Sequence, residues 1–257
     1  MKNYIRESIL IWVILISSLI MMSFDTISQV QSYHDFADKR TIFGTPFFFD
    51  VTTNAFFAIF GFIGLNFCLR KKQKTALWSW IIFFFGVTIV SLGSGYYHLN
   101  PNNNSLFWDR LPMTIGFMSL FIAILSEYVN PNIGKFVLIP AILVGFSSVI
   151  YWHLIDDLRF YFWIQLIPLL TIPIVMILFK SKFTHQRYLI YALIFYLLAK
   201  ITETYDKEIF SFIYQQISGH SLKHILASLG PLYIFFMIKK RKVRNNAPMV
   251  EGLWKIW

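Results

Sequence analysis

Apolar residues run along this chain in long blocks, not in the short alternations of a soluble fold. Eight blocks stand out: Ser8–Phe24, Phe47–Leu69, Leu77–His98, Leu111–Tyr128, Ile133–Trp152, Phe160–Phe179, Tyr188–Ile201 and His220–Ile238. Most approach the roughly 20 residues that an α-helix needs to cross a bilayer. Backbone groups in lipid must be satisfied within their own segment, so continuous apolar runs predict helices and not barrel strands. The seventh block is short, and reaching Tyr205 brings in Lys200 and Glu203. The pattern predicts an all-α integral membrane protein.

Composition sharpens this picture in three respects. Of 257 residues, 56% are hydrophobic and only 14% charged, against about 25% charged in a typical soluble domain. The formal net charge of +10 could suggest nucleic acid. The basic residues, however, form short clusters between blocks, the pattern that sets membrane orientation, so membrane lipids are expected as partners and nucleic acid is not. The single cysteine, Cys68, rules out an intrachain disulfide. Nothing in the sequence points to a protein partner. Lys2 and Arg6 before the first block resemble a signal peptide, but Phe24-Asp25 is not a small-residue cleavage pattern, so a retained helix is expected.

With the N-terminus cytoplasmic and eight helices following, 16 of 23 basic residues fall inside and 10 of 13 acids outside. The Lys and Arg bias carries the orientation and leaves both termini cytoplasmic. His98 then ends an outward helix, Asp109 begins the next inward one, and His220 begins the last. All three lie at the outer face although far apart in sequence.

The candidate chemistry sits at these helix ends. His220 and His224 are at i and i+4, on one helix face, and Ser94 and His98 repeat that spacing. Ionisable groups near membrane depth are functional candidates, and three imidazoles with one open position make a known catalytic zinc arrangement. Spacing alone leaves interfacial polar histidines equally open, and His153 lies at another outer helix end. His34 and His185 read as ordinary loop residues. A zincin would carry Glu where Ser221 stands, and a rhomboid-like protease would carry Gly where Leu92 stands. Gly93 and Gly95 permit close approach of a neighbouring helix. Asp109, just before a helix, reads as an N-cap as readily as a functional acid. Lys200, Glu203, Asp206 and Lys223 read as a salt-bridged cluster pinning the last two helices, with a substrate-headgroup role as the alternative.

Ser94-x-x-x-His98, Asp109-x-Leu111-Pro112-Met113 and His220-x-x-x-His224, in this order, resemble the alkaline ceramidase family. That family sits in a wider seven-helix hydrolase and receptor group that includes progestin and adiponectin receptors. Ser218-Gly219-His220-Ser221-Leu222-Lys223-His224 and Phe48-Phe49-Asp50-Val51 with Asn54 are similar to its bacterial branch. The resemblance runs from about Pro46 to Lys239. It implies a seven-transmembrane-helix hydrolase core over 46–239, an extra N-terminal transmembrane helix with an outer loop over 1–45, and a basic cytoplasmic tail over 240–257. It implies zinc held by His98, His220 and His224, with Ser94 and Asp109 catalytic, and a ceramide-like lipid cleaved to a long-chain base and a fatty acid. The bacterial-type motifs favour a bacterial inner membrane with the site toward the periplasmic face. Calcium is doubtful, because no Asp-Trp acidic cluster precedes Asp50.

Zinc on three neutral imidazoles lowers the pKa of its water to about 7. Asp109 would act as base and then acid, and Ser94 would help polarise the carbonyl. A lipid-binding receptor with structural zinc shares every motif. A transporter is disfavoured, because the polar groups cluster at one face and no inverted repeat is evident.

Overall fold

The computed structural model describes residues 3–71 and 76–244. The tail expected over 240–257 therefore lies outside the described residues beyond Arg244. So do Lys2, Lys72, Lys74, Glu251 and Lys255 of the charge count. Among the described residues regular structure is helical: α1 (Asn3–Ser23), α2 (Phe48–Thr52), α3 (Ala55–Arg70), α4 (Leu77–Leu99), α5 (Asn103–Tyr128), α6 (Pro131–Phe136), α7 (Leu138–Ile155), α8 (Arg159–Leu178), α9 (Arg187–Thr204), α10 (Asp206–Phe212) and α11 (Gly219–Lys240).

Seven stretches among the described residues are long and apolar enough to cross a membrane, with α2 and α3 counted as one span. This is a multi-pass all-α membrane protein. The eighth expected span, α9, has the length but carries Arg187, Lys200 and Glu203. Two expected blocks are interrupted: the second at Thr53-Asn54, the fifth at Val137. The fourth block starts earlier than its apolar residues do, because Asn102 caps α5. Its side chain accepts from the backbone N–H of Asn104 and Ser105, and Ser105 closes the box by accepting from the Asn102 N–H. That reciprocal cap satisfies the donors a helix start leaves open. Asp109 consequently lies inside the helix and is not its N-cap.

Burial orders the layers. α5 runs through the middle, packed most closely on α4 and then on α7 and α8. α9 leans on α11, and α1 lies along α8 with most of its surface outward. Trp12 and Leu19 of α1 are exposed, as expected of a lipid-facing helix.

The two ends of the bundle differ. At one end the segments after α1, α4, α7 and α9 meet: Leu158 N–H donates to Ile27 O, Gln29 N–H to Asp156 Oδ1, and Ala37 N–H to Asp206 Oδ2. At the other end Arg241 reaches Glu127 at 2.6 Å, with both side chains nearly inaccessible, and Glu127 also accepts from Trp80 Nε1 at 2.7 Å. Removing one partner of a buried pair strands the other charge. Glu127→Ala should therefore lower stability in detergent by on the order of 3–5 kcal/mol. A melting temperature equal to the parent's would show that this pair is not desolvated.

Candidate metal centre

The imidazoles of His98, His220 and His224 meet at the end of the bundle where the loops after α1, α4 and α9 converge. One nitrogen from each lies within 4.8 Å of the others, and all three residues are buried. Ring centroids are 4.8 to 4.9 Å apart in every pairing. Two come from one face of α11 and one from the last turn of α4.

The local sequence explains how these helices come so close. Ser218 caps α11, its Oγ accepting from Ser221 N–H at 2.9 Å. Gly219 follows, and a Cβ there would stand 2.3 Å from the Thr202 carbonyl oxygen. Only glycine lets α11 start against the end of α9. On the other side, Pro112 has no N–H to give the Trp108 carbonyl, and Gly93 packs where that carbonyl points. A Cβ on Gly93 would stand 2.1 Å from Trp108 O. The residue after Gly93 is Ser94 and the residue after Trp108 is Asp109, so this close contact sets the hydroxyl beside the carboxylate. Gly95, expected to help, has nothing near its Cβ position.

The hydrogen bonds around the rings show which nitrogens are available. Thr53 Oγ1 donates to Phe49 O at 2.7 Å and therefore meets His224 Nδ1, 3.0 Å away, as an acceptor. Nδ1 then carries the proton and Nε2 presents its lone pair. A histidine ligand is usually oriented this way, through its second nitrogen. Among the described residues, His224 Nε2 and both ring nitrogens of His98 have no hydrogen-bond partner and are buried. His220 Nε2 is 3.0 Å from Lys223 Nζ. Buried polar atoms left unsatisfied cost about 1–3 kcal/mol each. Several facing one another argue for a shared cation, and neutral imidazole suits zinc and other borderline metals. The residues fit such an ion.

Second-layer contacts hold the arrangement. Asp50 is fully buried in the α2–α3 span, and its Oδ1 accepts from Ser221 Oγ at 2.6 Å and Ser218 Oγ at 3.2 Å. Asp206 Oδ1 accepts from His220 N–H at 2.7 Å. Its other oxygen takes Ala37 N–H, tying the loop after α1 onto the site. Within that loop the Phe36 ring lies 4.8 Å from the His98 ring and 4.3 Å from that of His220, and it is almost wholly buried. His34 clamps the same loop, with Tyr97 OH and Asn103 Oδ1 each 2.8 Å from its ring nitrogens. Asp35 bonds to Lys207 and Lys39, whose ammonium groups hold its carboxyl down to about 2. These partners are exposed, so the tie adds little; it weakens only as pH falls from the ordinary aspartate value toward 2. The loop thus covers the three-histidine group at this end of the bundle.

Below the rings a cavity of about 560 Å³ runs into the bundle, within the size range of ligand sites. Its polar end is Ser94, Asp109, Lys223 and His224, and its walls are almost entirely apolar. α8 and α9 border it without packing closely on one another. Ile177 and Ile190 line it there while also facing outward, so the cavity reaches the lipid-facing surface of the bundle.

All five expected site residues are thus brought together. His153 is exposed and lies outside the group, against Phe107. His34 is not the ordinary loop residue expected but a clamp. The expected cluster of Lys200, Glu203, Asp206 and Lys223 does more than pin helices, because Lys223 borders the cavity and Asp206 holds His220. Thr53 and Phe36 are site neighbours that no sequence pattern marks; Asp50, a carboxylate within an apolar block, is the signal for the α2–α3 break. Fold and site together define a multi-pass helical membrane protein with a buried three-histidine group able to hold a metal ion. No protein-family model matches the chain, and no curated protein matches it.

Proposed function

We propose that this protein is a membrane-embedded, zinc-dependent amide hydrolase of the alkaline ceramidase type, cleaving ceramide or a related N-acyl lipid into a long-chain base and a fatty acid. One observation carries the reading: a three-imidazole group reaches, through His224, the polar end of an apolar cavity that also presents a carboxylate and a hydroxyl. The motif order read from the sequence supports the same reaction class.

Zinc, when bound by His98, His220 and His224, would supply an electrophile and an activated water at neutral pH. Asp109 takes a proton from the attacking water as the C–O bond forms. It returns that proton to the leaving nitrogen as the amide C–N bond breaks. Ser94, beside Asp109 at the polar end of the cavity, donates its single hydroxyl proton to the carbonyl oxygen. The apolar walls hold the acyl and long-base chains and exclude water, which strengthens each polar contact. The test is lipid mass spectrometry after incubating purified, zinc-loaded protein with a panel of ceramides and N-acyl lipids. Paired release of base and fatty acid is expected. Intact lipid recovered in complex with the protein would instead indicate a lipid sensor.

We also infer that the metal centre faces the outer side of a bacterial inner membrane, with both ends of the chain cytoplasmic. The support is the 16 of 23 basic residues assigned to the opposite side. A tag inserted at 102–104 should react with impermeant reagents on intact spheroplasts. Labelling only after lysis would reverse the orientation.

A further inference from the structure

We propose that Lys223 selects, at the polar end of the cavity, for N-acyl lipids whose head carries an anionic group. The proposal rests on the hydrolase reading above and names the substrate class of that site.

Lys223 projects from α11 between the two histidine ligands, and its side chain is only 18% exposed. Its ammonium has three N–H donors. Glu203 Oε1 takes one at 3.1 Å and His220 Nε2 another at 3.0 Å. An ion held by the imidazoles and an ammonium cannot share the same ring lone pair. An ion bound through His220 Nε2 therefore leaves Lys223 to Glu203 and to whatever occupies the cavity it lines.

Glu203 does not neutralise it fully. The same carboxylate also bonds Lys200 and accepts from Tyr33 OH at 3.3 Å. One carboxylate is thus shared by two ammonium groups, and the more buried of the two borders the cavity. Of the other acids facing this end, Asp206 accepts from the backbone N–H groups of His220 and Ala37 and Asp50 from two serine hydroxyls. Asp109 lines the same polar end as Lys223 and makes no hydrogen bond to it, so the ammonium keeps its donor for a ligand. The nearby cation Arg110 turns to Gln29 Oε1 at 2.6 Å and to the faces of Trp152 and Tyr161. A partly compensated, partly desolvated ammonium beside an apolar channel matches an acyl chain with a carboxylate a few atoms beyond its amide. Charge-assisted hydrogen bonds of that kind are the strong ones.

The test uses the zinc-loaded full chain with N-palmitoylglycine and N-palmitoylethanolamine, which share an acyl chain and scissile amide and differ in head charge. Both kcat/KM and equilibrium Kd are measured, with zinc content on each preparation. The parent protein should favour the acidic lipid by about tenfold or more in both measures, the usual worth of a hydrogen bond to a charged group. Lys223→Gln should bring the ratio near unity, and Lys223→Arg should keep it. Each ratio is internal to one variant, so partial misfolding lowers both lipids alike. Equal preference in the parent, or an unchanged ratio in Lys223→Gln, overturns the proposal. Hydrolysis without head preference would sink this inference and leave the hydrolase reading standing. Tighter binding of the acidic lipid with no cleavage of either, lost in Lys223→Gln, would do the reverse.

Discussion

Purified protein should hold about one zinc per chain, and His98→Ala, His220→Ala or His224→Ala should each remove most of it. Three imidazoles and one open position complete a tetrahedral site, and two imidazoles do not hold zinc nearly as well. Loss of a mere orienting partner costs about 10–100-fold in metal affinity. Removal of a ligand should cost more, and Thr53→Val, which strips the acceptor from His224 Nδ1, should fall within that orienting range. His153→Ala should keep its zinc. The measurement is elemental analysis after dialysis against a graded chelator series. Full zinc in all three ligand variants would end the assignment. Zinc lost equally from His153→Ala would mean that the variants are misfolding and not losing a ligand.

Asp109→Asn should retain zinc while turnover falls by on the order of 10²–10⁴, the usual contribution of a positioned acid–base group. The amide keeps the size and most hydrogen bonds of the carboxylate but cannot accept the proton. Ser94→Ala should lose less, because zinc would still polarise the carbonyl. Both residues stand at the polar end of the cavity and outside the imidazole group, so chemistry and metal binding should separate. Parental turnover in Asp109→Asn would remove the proton-transfer role. Zinc lost together with activity would make Asp109 a ligand or a brace.

The spans could be read from the sequence because lipid enforces a simple rule: a backbone with no water must form long apolar helices. The same rule made the site legible, since His98, Asp109, His220 and His224 are costly at the ends of such helices. The rest was hidden for particular reasons. Asn102 and Ser105 start α5 by a polar cap that hydropathy does not register, so Asp109 was read just ahead of a helix it lies within. The α2–α3 break puts Thr53 against His224, a contact 171 residues apart in sequence. Phe36 sits in a loop whose composition suggests only a connection. Glu127 and Arg241 counted as cytoplasmic charge, yet they meet in the interior, because their pairing crosses 114 residues.

The Phe36 loop and the gap between α8 and α9 have a joint effect on concentration. A lipid that reaches the cavity sideways never leaves the bilayer, so its dose is set by its share of the membrane and not by its amount in the surrounding water. Diluting a cleavable lipid with inert phospholipid at constant total substrate should then slow the protein, whereas diluting the whole suspension of vesicles bearing both should not.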